Sequence, residues 1–142
     1  MNVKFKRIDK RLEPPKYHTG GSVGFDLVAR EKVRILPGKL ELLPLNIIIE
    51  TPHGQGLFLT CRSSMPIKKG LLIPNGLGII DQDYSGEEDE LKLEAFNFTK
   101  RAVVVERGER IAQGIFVKIQ IAKFKEVKNM KNKSRGGFGS TG

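Results

Sequence analysis

Residues 33–62 read VRILPGKLELLPLNIIIETPHGQGLFLTCR, and this stretch decides the fold class. Apolar runs at Val33 to Leu36, Glu41 to Glu50 and Gly56 to Arg62 are separated by Pro37-Gly38 and Thr51-Pro52-His53-Gly54. Both interruptions carry a turn mechanism, because glycine accepts positive φ and proline fixes φ. Without helical periodicity, short Val/Ile/Leu/Phe runs between such breaks read as strands.

The same pattern extends in both directions. Val3 to Ile8, Leu91 to Phe98, Ala102 to Glu106 and Arg110 to Ile121 are further predicted strands, with turns at Asn75-Gly76, Ser85-Gly86 and Arg107-Gly108. Seven or more strands at this spacing predict an all-β sandwich or barrel. Ser63 to Lys69 follows a strand without alternating, and is the one place where a short helix is expected.

The chain has 142 residues and a formal charge of +9. That length suits one domain that buries roughly two-thirds of its unfolded surface, so neither disulfides nor a structural metal are needed. A single cysteine excludes an internal disulfide framework and a cysteine-ligated zinc site. No apolar run approaches a membrane span and MNVKFKRIDKR is unlike a signal peptide, so a cytoplasmic or other intracellular location is expected. Residues 1–18 hold six basic and two acidic side chains, residues 123–142 six and one, and residues 19–122 thirteen of each. The excess charge thus lies at the two ends, whereas nucleic-acid readers spread theirs over a groove-sized face.

Residues 1–122 are read as the barrel and 123–142 as a basic, glycine-rich arm. The arm has too little apolar surface to order itself and is expected to be mobile until something binds it. Phe138, alone among glycines, reads as a contact residue.

His18 and His53 sit in turn-like sequence and are set aside as catalytic groups. Cys61, with only Arg62 beside it as an activator, reads as a small buried residue. Asp81, Asp83 and Tyr84 in GIIDQDYSG are more informative, because carboxylates at alternating strand positions face one side. A pocket-forming hairpin is expected there, with one acid as a base and the tyrosine as a platform, while Glu87 to Glu90 read as a solvated acidic loop. Arg62-Ser63-Ser64 supplies a guanidinium, hydroxyls and N–H groups to an anion, and Gly136 to Gly142 can form an anion nest.

Taken in order, five segments resemble the motifs of the trimeric deoxyuridine triphosphatases (dUTPases): Gly24-Phe25-Asp26-Leu27, Arg62-Ser63-Ser64, Gly78 to Gly86, Gly108 to Gln113 and Gly137 to Gly142. The resemblance implies a jelly-roll-like β-barrel and a homotrimer with shared sites. It further implies Mg²⁺-dependent hydrolysis of dUTP to dUMP and pyrophosphate, which limits uracil in DNA and supplies a thymidylate precursor. Asp81 would activate the attacking water, Tyr84 would pack under the deoxyribose, and Asn75, Gly78 and Ile80 would read the uracil edge. Arg62, Ser63, Ser64 and Gln113 would hold the phosphates, with Asp26 acting on the metal through water or bracing the arginine. Phe138 would stack over uracil, Gly139 would belong to the same substrate-binding segment, Ser140 and Thr141 would bind the terminal phosphate, and Arg135 or Lys133 would assist them. Gly114 stands where that family usually has leucine, so strand packing is expected to differ there.

Two rivals are distinguishable. A dCTP deaminase, or the bifunctional deaminase and dUTPase, shares the fold, and Glu94 sits where that family places its proton-shuttling glutamate; Tyr84 and the GFGSTG ending argue against it. A nucleic-acid-binding barrel would need interleaved aromatics on a basic face, and neither a membrane nor a nucleic-acid partner is expected.

Overall fold

A computed structural model describes residues 1–137 and 139. Its strands are β1 Lys4–Arg7, β2 Phe25–Val28, β3 Val33–Ile35, β4 Leu40–Pro44, β5 Ile47–Glu50, β6 Gln55–Cys61, β7 Leu71–Leu72, β8 Gly78–Ile80, β9 Lys92–Asn97, β10 Val103–Val105 and β11 Arg110–Lys118. One short helix, α1 Ser64–Lys69, follows β6. The strands pair antiparallel in four small sheets, ordered β1-β5, β10-β3, β2-β11-β6-β8 and β4-β9-β7. This is the nearly all-β architecture the pattern predicts, in the jelly-roll-like form the resemblance implies. Among the described residues no helix is long and apolar enough to cross a membrane.

Period-two alternation places the core. Leu43, Leu45, Ile47 and Ile49 point inward, as do Leu57 and Leu59 of β6 and Leu91, Leu93 and Ala95 around β9. Alternate side chains of a strand leave opposite faces, so β6 and β9 contribute every second residue to one contiguous core, whereas β2 is buried along its whole length and β1 adds none to the core. Asn97 is buried at the end of β9 yet fully used: its Nδ2 donates to the carbonyls of Ile35 and Arg101, and its Oδ1 accepts from the Thr99 N–H and hydroxyl.

The structure departs from the sequence reading in four places. The expected strand Glu41 to Glu50 is two strands in different sheets, because Asn46 adopts φ +64°. Asparagine tolerates this left-handed conformation better than most residues. Here it is also tied down: Asn46 Oδ1 accepts from the Asp9 N–H at 2.6 Å and Nδ2 donates to the Asp9 carbonyl at 3.0 Å. Secondly, Glu90 is not part of a solvated loop. It is buried, and its Oε1 accepts from the Asn46 N–H and from Arg30 Nε, each at 2.8 Å.

Thirdly, Phe25–Val28 and Leu71–Leu72 are strands that the pattern missed, and Gly78–Ile80, where a hairpin is expected, pairs with β6 instead. They are too short to alternate visibly. Fourthly, Asp81 and Asp83 lie beyond β8 in a turn closed by the Tyr84 N–H on the Asp81 carbonyl, not on one face of a hairpin strand.

Gly114, where strand packing is expected to differ, is covered from across the ladder. It sits opposite Phe25 across the β11–β2 ladder, and a Cβ there would lie 2.3 Å from the Phe25 ring. The ring covers the glycine and stacks on Phe116, with centroids 5.5 Å apart. This is an aromatic side chain filling the gap a strand glycine leaves.

Two stability predictions follow from these contacts. Asn46→Ala should lower unfolding free energy by about 2–4 kcal/mol in urea titration, from lost hydrogen bonds and left-handed strain, and Asn46→Gly should cost less. Gly114→Ala should cost about 1–3 kcal/mol, because the packed ring must move. The loss should shrink in a Phe25→Leu background.

Candidate functional site

Three strands converge on one buried carboxylate. Asp26 of β2 lies opposite Gln113 of β11, and Gln113 lies opposite Thr60 of β6 on the other side. Arg62 leaves β6 with its N–H on the Ile111 carbonyl at 3.0 Å, which returns its side chain to the same place. Gln113 Nε2 donates to Asp26 Oδ1 at 2.9 Å. Asp26 Oδ2 has Arg62 Nε at 3.2 Å, His18 Nε2 at 3.3 Å and Arg110 Nη1 at 3.4 Å.

A buried carboxylate must be paired, and two guanidinium groups around a single carboxylate leave a local excess of positive charge. Their side chains keep 31% and 41% of their accessible surface, so this charge faces solvent. Ser63 is exposed beside Arg62 and its hydroxyl does not cap α1, while Ser64 opens the helix. Arg62, Ser63, Ser64, Gln113 and Asp26 therefore form one cluster suited to a phosphate chain. The sequence reading missed His18 and left Arg110 without a role. Neither has a local signal, because their place is set by strand pairing.

The remaining candidates lie elsewhere. Asn75, Gly78, Ile80 and Glu94 line a groove of about 210 Å³ together with Leu42, Leu59 and Lys92. Glu94 is half-buried on β9 opposite Leu42, between the inward Leu93 and Ala95. Asp81 is exposed and lines an adjacent groove of about 530 Å³ with Gly56, Phe58 and Ile119. Tyr84 is partly exposed, its hydroxyl donating to the Glu90 carbonyl at 3.4 Å.

Asp81 flanks the opposite end of β6 from Arg62, whereas Gly78 pairs with Leu59 in the half of β6 nearer Arg62. Ile80 pairs with Leu57, so Asp81 lies beside Gly56, and the six residues from there to Arg62 span roughly 20 Å of extended chain. Arg135 and Gly139 are exposed and outside regular structure, and Phe138, Ser140 and Thr141 lie outside the described residues.

Cys61 is half-buried in β6, and burial pushes its thiol above the ordinary value, as suits an inert side chain. Among the described residues no three His, Cys, Asp or Glu side chains gather to hold a metal ion. The donor set, one carboxylate already engaged by arginines and an amide, suits a hard cation that stays on its waters and on phosphate oxygens.

A family model described as dUTPase matches residues 10–142. The chain is 40% identical over 131 residues to the deoxyuridine 5'-triphosphate nucleotidohydrolase of Lactococcus lactis, covering 90% of this chain and 87% of that protein. The protein of the same name from Helicobacter pylori strain 26695 is 37% identical over 144 residues, covering 100% and 97%. The crystal structure of dUTPase from Streptococcus mutans superposes with a TM-score of 0.77 at 33% identity, over 84% of this chain and 98% of that one. The dUTPase of Staphylococcus bacteriophage 80alpha with dUPNHPP reaches 0.87 at 24% identity, over 99% and 98%, and shares the fold. With the match running from before the first motif to the last residue, the chain belongs to the dUTPase family.

Proposed function

We propose that this protein hydrolyses dUTP to dUMP and pyrophosphate at sites that are each built from more than one copy of the chain, in a homotrimer. The observation that carries the shared site is the length of β6. A water attacking the α-phosphate must be activated within a hydrogen bond of the phosphate chain, yet Asp81 and the Arg62–Gln113 cluster flank opposite ends of one strand. Asp81 of one chain acting beside Arg62 of another resolves the separation. The exposed apolar side chains of the arm, Phe124 at 98% and Met130 at 82%, also favour a neighbour for this segment.

In this reading Asp81 takes a proton from water as its oxygen bonds to the α-phosphorus. The bond to the bridging oxygen breaks and pyrophosphate leaves. Arg62, Arg110, Ser63, Ser64 and Gln113 neutralise and orient the phosphates. Asp26 would hold Mg²⁺ through water, and the ion would supply charge withdrawal from the reacting phosphate. The backbone of Gly78 and Ile80 and the side chain of Asn75 read the uracil edge, and Tyr84 packs against the deoxyribose. Residues 1–122 form the barrel, while residues 123–142 reach a neighbouring site, where Phe138 and Gly139 cover the base and Arg135, Ser140 and Thr141 meet the terminal phosphate. The reaction limits uracil in DNA and supplies dUMP in the cytoplasmic nucleotide pool.

One observation keeps dCTP deamination in view: Glu94 shares a groove with Asn75, Gly78 and Ile80. Purified protein with Mg²⁺ should convert dUTP to dUMP and pyrophosphate and leave dCTP intact, by nucleotide separation. Ammonia released from dCTP would make Glu94 the central residue.

Asp81→Asn should lower turnover by about 10²–10⁴-fold while retaining nucleotide binding. Asp81→Asn and Arg62→Ala chains, each inactive alone, should regain part of the activity when refolded together. Recovery requires that the two residues act from different chains, and its absence would place them in one. Deleting residues 136–142 should remove most turnover with the oligomer intact by gel filtration.

A further inference from the structure

The Asp26 cluster contains one group that the proposed chemistry leaves unused. Three nitrogens lie within 3.4 Å of Asp26 Oδ2, from Arg62, His18 and Arg110. A carboxylate oxygen offers about two lone-pair directions, so this atom cannot fully anchor all three. Arg110 makes the longest of these contacts and is the more exposed of the two arginines. Asp26 alone therefore holds it weakly.

His18 supplies the rest. Arg110 Nη1 lies 3.3 Å from His18 Nδ1 and 3.0 Å from Nε2. The two ring nitrogens flank a single carbon. An atom at similar short distances from both lies over the ring face, because in the ring plane that carbon's hydrogen blocks the approach. The contact is a guanidinium resting on an aromatic face, the geometry of a cation–π pair.

The backbone brings His18 there for reasons visible in the fold. The Asp26 N–H donates to the Lys16 carbonyl at 2.9 Å, so the segment before β2 runs beside it. Tyr17 then packs edge-on against Phe25 at a centroid distance of 5.7 Å, fixing the residue next to His18. The Thr19 N–H donates to the Ser22 hydroxyl, closing the loop beyond it.

We propose that His18 is a positioning residue that holds the Arg110 guanidinium beside Asp26, so that Arg62 and Arg110 together present two cations to the substrate's phosphate chain. This rests on the reading of the cluster as the phosphate site. It adds to that reading a residue from the segment before the first motif.

The test uses inorganic tripolyphosphate as the probe, so that it does not depend on dUTP turnover. By calorimetry, His18→Ala should weaken tripolyphosphate binding about two- to fivefold, as expected for loss of one exposed cation–π contact. His18→Phe, which keeps a ring face, should restore most of it. In an Arg110→Ala background, His18→Ala should have no further effect. With dUTP, the alanine variant should raise KM by a similar factor with kcat within twofold of the parent.

Tripolyphosphate binding unchanged in His18→Ala would overturn the proposal. So would a phenylalanine variant as weak as alanine, or an undiminished effect without Arg110. Tripolyphosphate binding that follows the expected pattern in a protein that does not turn over dUTP would sink the dUTPase activity and leave the role of His18 standing.

Discussion

A carboxylate buried at the junction of three strands needs partners, and Asp26 organises the functional half of this molecule by the way it finds them. Gln113 and Arg110 reach it from the adjacent strand β11, Arg62 from just past the end of β6, and His18 from the loop before β2. Removing the charge from water is tolerable only because these donors converge. The same convergence leaves more positive than negative charge at a partly exposed surface. A structural necessity and a surface suited to an anion are thus one arrangement, and the β2-β11-β6 ladders hold it in register.

A second constraint lies at the sheet crossing. The chain passes from the sheet of β4 to that of β5 at Asn46, where an extended strand would have continued straight on. Left-handed backbone at a buried position is costly for most residues. It persists because Glu90 accepts the Asn46 N–H while the Asn46 side chain satisfies both backbone groups of Asp9. The Asp9 carboxyl, held well below its usual range by the guanidinium groups of Arg11 and Arg107, links this crossing to the turn before β11. Glu90 also accepts from Arg30 and, through its carbonyl, from Tyr84. The crossing is therefore coupled to the loop that carries Asp81.

Strand length then sets a limit on what one chain can do. β8 pairs with Leu57 to Leu59 of β6, so Asp81, just past β8, lies beside Gly56 while Arg62 emerges from the other end, and the ladder holds these two side chains apart. No loop movement shortens a paired strand. In the proposed function one site joining Asp81 to the Arg62 cluster belongs to an assembly, and the arm from residue 123, with Phe124 and Met130 facing solvent, would belong to the same logic.

Much of this was legible in the sequence. Turn residues at Pro37-Gly38, Gly54 and Gly108 and apolar alternation along residues 41–62 and 91–97 determined an all-β chain with one short helix, because both signals act locally. The motifs likewise marked Asp26, Arg62 and Gln113 before any contact was known. Tertiary structure alone decided that Glu90 is buried rather than solvated, that Asn46 splits a strand, and that His18 rests against Arg110. None of these follows from neighbouring residues, since each depends on partners 37 to 92 positions away. Burial and hydrogen bonding across sheets are set by register, and register is fixed only when the whole core closes.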